Sequence, residues 1–140
     1  MQIYVYNWKT HTWRVGGQVP VANFLYQACC LIKDPSTGHN NVLVTGGYPI
    51  QTLAHPPTWL WDPSTGVIQN TTSSSTIPSQ GAKLVHYTDY EVLYLTTQGG
   101  PIYSFTIDDG WKVLTPFPSR STQASTGLLV PKGLFKCQST

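Results

Sequence analysis

Side chains able to do acid, base or metal chemistry are few in this chain and stand apart from one another. His11, His39, His55 and His86 are scattered, without the two- or four-residue spacing that presents a metal-ligating pair and without an acidic cluster beside them. A histidine with no partner to orient or discharge it makes a poor general base. Asp89 and Glu91 flank a turn, and Asp108 and Asp109 stand before Gly110, where short carboxylates serve turn geometry. Paired carboxylates, a glycine-rich phosphate cradle and a nucleophile elbow are all missing. The three cysteines are Cys29, Cys30 and Cys137. The adjacent pair must point to opposite faces of a strand, and an odd count without C-x-x-C spacing predicts buried, reduced thiols. This pattern predicts no enzyme, no metal and no cofactor.

Recognition chemistry is better supplied. Tyr48, Gln51, His55 and Arg120 stand in irregular, turn-rich segments, and tyrosine and arginine are the types most often found carrying an interface. These four are the candidate binding residues, against plainer roles: Tyr48 packing behind a glycine pair, His55 solvated ahead of Pro56-Pro57, Arg120 capping a loop carbonyl. The net charge of +2 is spread over eight basic and six acidic residues, which supplies no basic stripe for nucleic acid. No apolar run approaches the ~18 residues that span a bilayer. The start Met1-Gln2-Ile3-Tyr4 does not read as a secretory signal. Asn70-Thr71-Thr72 is a glycosylation triplet in a Ser/Thr-rich stretch, so the compartment stays open, with the cytoplasm favoured over secretion.

The elements that must position these residues are strands. Only 10% of residues are charged, while 12 glycines and 11 prolines punctuate runs rich in valine, threonine and aromatics. No apolar stripe with a 3.6-residue period is apparent. Period-two runs between turn signals predict strands at 3–6, 12–15, 26–32, 41–45, 58–61, 67–70, 83–87, 91–96, 102–107, 111–115, 127–130 and 134–137. The connections 16–25, 48–57, 71–82 and 116–125 are the long ones, expected to be irregular and to gather on one face.

A hairpin pattern recurs within this series. Six residues separate Tyr6 from Trp13 and Trp61 from Ile68, and Phe105 and Trp111 are one residue closer. Between the copies, apolar strands end in the glycine pairs Gly46-Gly47 and Gly99-Gly100. Paired glycines permit positive φ and close backbone approach, and aromatics flanking a tight turn can stack across the two strands. An antiparallel sandwich would use both devices too. A period close to the ~50 residues of a Kelch blade decides between them.

A glycine pair closing an apolar strand, followed by an aromatic, six residues and a tryptophan, resembles the Kelch repeat over most of the chain. The resemblance implies an all-β chain of four-stranded antiparallel β-propeller blades, forming an incomplete ring within 1–140. Residues 1–20 would be the outer half of a blade, 21–72 and 80–116 full blades, and 125–140 the inner half of another. Since propellers close with ~4 to 8 blades, the chain is expected to be a piece of a longer protein or to self-associate through open blade edges. The resemblance further implies a scaffold that binds a protein partner through its long loops. The alternatives are a galactose-oxidase-like copper-radical enzyme, for which no residue matches a ligand motif, or a secreted carbohydrate-binding propeller with Trp8 or Trp59 as stacking platform. Gly46, Gly47, Gly99, Gly100, Tyr6, Trp13, Trp61 and Trp111 are then structural.

Overall fold

The computed structural model describes residues 2–18, 24–25, 27–46, 48–49, 58–71, 83–95, 101–116, 125–130 and 133–138. Its strands in chain order are β1 (Gln2–Asn7), β2 (Thr12–Gln18), β3 (Phe24–Leu25), β4 (Ala28–Lys33), β5 (Asn40–Thr45), β6 (Tyr48–Pro49) and β7 (Trp59–Trp61). They continue as β8 (Ile68–Asn70), β9 (Lys83–Thr88), β10 (Glu91–Leu95), β11 (Pro101–Thr106), β12 (Gly110–Pro116), β13 (Ser125–Val130) and β14 (Gly133–Gln138). All pairing is antiparallel, and apart from β3 with β6 and β5 with β7 it joins neighbours in the chain, so tight turns suffice to connect most strands. Two sheets have four strands, in the orders β4-β5-β7-β8 and β9-β10-β11-β12; β1-β2 and β13-β14 form two-stranded sheets. The described residues do not close into a ring.

Two connections are more regular than their composition suggests. The expected loops at 16–25 and 48–57 are partly strand: β2 runs on to Gln18, and β3 pairs with β6 through Phe24 opposite Pro49 and Leu25 opposite Tyr48. Backbone groups of a connection lying against protein need partners, and a short ladder supplies them where side-chain alternation gives no signal.

The two large sheets pack face to face through the residues that alternation turns inward. Ile32, Leu43 and Leu60 from the first meet Val92, Tyr94, Tyr103, Phe105 and Trp111 from the second. Each such side chain contributes roughly 1.5–3 kcal/mol of apolar burial. Tyr94 stands edge-on to both Tyr103 and Trp111, with ring centroids 6.1 and 5.6 Å away. A backbone bond from Lys33 N–H to the Asp89 carbonyl, 2.6 Å, ties the end of β4 to the β9–β10 turn. β4 and β13 both run beside β9.

A polar contact crosses this apolar interface. Trp111 Nε1 donates to Thr58 Oγ1 at 3.0 Å, and Thr58 Oγ1 lies 2.9 Å from Thr45 Oγ1. Thr45 and Thr58 are buried, so each hydroxyl depends on this chain for satisfaction. Trp111→Phe should therefore cost about 1–2 kcal/mol. Thr58→Val should cost a similar amount, and the double variant much less than the sum. Chemical denaturation of the four proteins checks this, and strict additivity would mean that the two side chains are not coupled.

The repeated hairpins adopt one register. Tyr6 is directly opposite Trp13, Trp61 opposite Ile68, and Phe105 opposite Trp111. The rings of Tyr6 and Trp13 lie 4.9 Å apart, as do those of Phe105 and Trp111. Gly46 is buried with φ of +72°, in the left-handed region that its place after an apolar strand suggested. Gly47, Gly99 and Gly100 lie outside the described residues.

Candidate functional site

Two identical pentapeptides, Asp34-Pro35-Ser36-Thr37-Gly38 and Asp62-Pro63-Ser64-Thr65-Gly66, build adjacent turns at one end of the sheet β4-β5-β7-β8. In each the aspartate Oδ1 accepts from the serine N–H, at 2.8 Å in both, and from the serine Oγ, at 2.7 and 2.6 Å. Each turn closes through a 2.8 Å bond from the glycine N–H to the aspartate carbonyl, with glycine φ at +71° and +76°. The second turn lies inside the Trp61–Ile68 hairpin of the recurring pattern; exact repetition of five residues was the signal for the first.

Beside the turns lies a cleft of about 160 Å³, whose lining includes Asp34, Asp62, Asn41, Gln69, Leu60 and Ile107. His39 Nδ1 lies 3.4 Å from Asp62 Oδ2. Hydrogen bonds from Ser36, side chain first and then backbone, hold the Asp34 carboxyl below the ordinary value of 3.8, and Ser64 does the same to Asp62 more strongly. Carboxylates stabilised in this way are weak proton acceptors near neutrality, which argues against acid–base work here. The volume is also below the ~300 Å³ at which small-molecule pockets begin. Among the described residues, no group of three His, Cys, Asp or Glu converges as a metal site.

These carboxyls link folding to pH. Lys112 holds the Asp109 carboxyl low as well, through a 2.7 Å contact. All three values are depressed in the folded state, so the stabilisation is complete above the unfolded value of 3.8 and is lost as pH falls through the lower folded values. Asp34→Asn with Asp62→Asn should flatten the fall of melting temperature below about pH 4. An unaltered acid slope would show that the turn carboxyls are not linked to folding.

A second surface is apolar. Tyr4, Tyr6, Trp13 and Val15 share one face of β1-β2 and are 59%, 44%, 67% and 56% exposed. Their equivalents in the third copy, Phe105 and Trp111, are 0% and 7% exposed. A contiguous exposed apolar face of this kind is uncommon on a folded chain. His11, left-handed at φ 52°, hydrogen-bonds the Tyr6 hydroxyl through Nδ1 at 2.8 Å and holds the rim of this face in place.

The candidate binding residues are not brought together here. Tyr48 contributes its backbone to β6, opposite Leu25; Gln51, His55 and Arg120 lie outside the described residues. Trp59 is buried at 6% exposure, so it offers no face to a sugar, whereas Trp8 is 71% exposed with Lys9 Nζ 5.5 Å above its ring. The expectation of buried thiols is corrected at Cys29, which is exposed because it alternates with half-buried Cys30 on β4. Both are free. Desolvation raises the Cys30 thiol above its ordinary value and keeps it protonated. No family model, curated protein or solved structure matches the chain.

Proposed function

We propose that the successive sheets are Kelch-like β-propeller blades and that they serve as a scaffold for protein–protein interaction rather than as an enzyme. The observation that carries this reading is a directly opposed cross-strand pair of large apolar residues in the β1–β2, β7–β8 and β11–β12 hairpins, aromatic on both strands in the first and the last. In blades of this kind that pair fills the space against the neighbouring blade. The order β4-β5-β7-β8 repeats as β9-β10-β11-β12, as an up-and-down blade requires. The face bearing the connections at 48–57, 71–82 and 116–125 would contact the partner.

The test is a selection of peptides on the immobilised chain, followed by hydrogen exchange with an enriched peptide bound. Protection confined to those connections is expected. Protection at the 34–38 and 62–66 turns, or binding of oligosaccharides in place of peptides, would overturn the reading.

A further inference from the structure

The two ends of the sheet array are uncovered in complementary halves. The sheet β4-β5-β7-β8 presents Cys29, Leu31, Trp59 and Trp61 on the face toward β1-β2. Its outer half is covered: Trp59 and Trp61 are 6% and 7% exposed, and the six-membered ring of Trp61 lies against Gly16. Its inner half is not covered, for Cys29 is exposed and Leu31 is 55% exposed. The far face of β9-β10-β11-β12 shows the reverse. There the inner residues Leu93, Leu95 and Ser104 are buried, while Lys112 is exposed and Leu114 is 53% exposed on the outer strand.

The strands that accompany these faces are complementary in the same sense. β1-β2 is an outer pair standing against the outer half of its neighbour, and β13-β14 is a pair with β13 beside the inner strand β9. Among the described residues β1 pairs only with β2, and β14 only with β13. Antiparallel pairing of β14 with β1 would give the order β13-β14-β1-β2, the order of both complete sheets. Such an edge-to-edge join satisfies two rows of backbone groups that have no strand partner among the described residues.

We propose that two copies of this chain associate head to tail, β13-β14 of each pairing with β1-β2 of the other to complete a four-stranded sheet. The inner pair of one copy then covers Leu31 and Cys29 of its partner. The aromatic face of Tyr4, Tyr6, Trp13 and Val15 covers Lys112 and Leu114 of the same neighbour, as Trp61 now covers Gly16. Two copies would supply six four-stranded sheets, within the ~4 to 8 blades at which propellers close. This inference rests on the blade reading above and adds the identity of the occupant.

Light scattering on the full chain across a concentration series should show one species of twice the 15.5 kDa chain mass. Trp13→Asp and Leu114→Asp, both at exposed positions, should each weaken association roughly thirtyfold or more without altering the circular dichroism. Mixing the two variants should restore dimers in part, because the mixed pair keeps one wild-type interface of its two. Tyr90→Asp, in the β9–β10 turn away from both faces, should leave the mass unchanged. A wild-type chain that stays monomeric, a dimer indifferent to Trp13→Asp, or a defined mass other than two copies would overturn the assembly. A monomer that still shows the Trp111–Thr58 coupling would overturn it while leaving the sheet reading intact.

Discussion

Phe105→Ala should lower the stability of the fold by about 3–5 kcal/mol, the largest effect expected of any single replacement discussed for this chain. Phe105 is fully buried, sits opposite Trp111 in the β11–β12 ladder and packs against its ring at 4.9 Å. Truncation removes the apolar surface of the ring and leaves a cavity that the sheets cannot readily collapse. Trp111 is anchored on Thr58 across the interface, and Tyr94, wholly buried, stands edge-on behind it. Tyr6→Ala, at the corresponding place in the first hairpin, should cost the isolated chain far less, because Tyr6 is 44% exposed. Urea unfolding of both variants measures the contrast. Equal losses would mean that Phe105 and Tyr6 share an environment, contrary to the packing described.

Gly16→Val should be the other severe change, at about 3 kcal/mol, with its effect concentrated on one hairpin. A Cβ at Gly16 would come within 2.7 Å of both Trp61 Cζ2 and Val5 Cγ2. Trp61 has little room to retreat, since it is 7% exposed and Gly17 lies over its indole nitrogen. The strain is relieved most cheaply by lifting β1-β2 from the sheet β4-β5-β7-β8. Hydrogen exchange should then quicken across 2–18 and in β7 while β9 to β11 keep their protection. Unchanged exchange in β1 and β2 would refute the close packing of Gly16 on Trp61. Gly38→Val provides the comparison: it meets no atom within 4 Å, so any loss there comes from backbone strain at φ +71° alone.

The strand series was legible because apolar alternation and turn residues coincide along most of the chain. Val42, Leu43, Val44 and Val92 to Leu95 mark two interior strands without tertiary help, and the ends of the expected strands differ from the observed ones by two residues at most, except that β2 runs three residues further, to Gln18. The cross-strand aromatic pairs were legible as well, since a tight turn leaves Tyr6 and Trp13 little choice but to face each other. The β3–β6 ladder was not, because two-residue strands carry no period. The paired pentapeptide turns were legible in principle, as identical residues in two places, but their adjacency follows from the β5–β7 pairing, which no local pattern encodes. Of the candidate binding residues, Gln51, His55 and Arg120 fall outside the described residues.

The sequence by itself determined the all-β class, the order of strands, the hairpin turns and which residues pair across them, because those depend on contacts between near neighbours in the chain. Tertiary structure decided the environment of each repeated pair. Phe105 and Trp111 are buried and hydrogen-bonded because a second sheet covers them, whereas Tyr6 and Trp13, alike in type and register, remain open to solvent. Burial is a property of what lies opposite a face, and alternation along one strand carries no record of it.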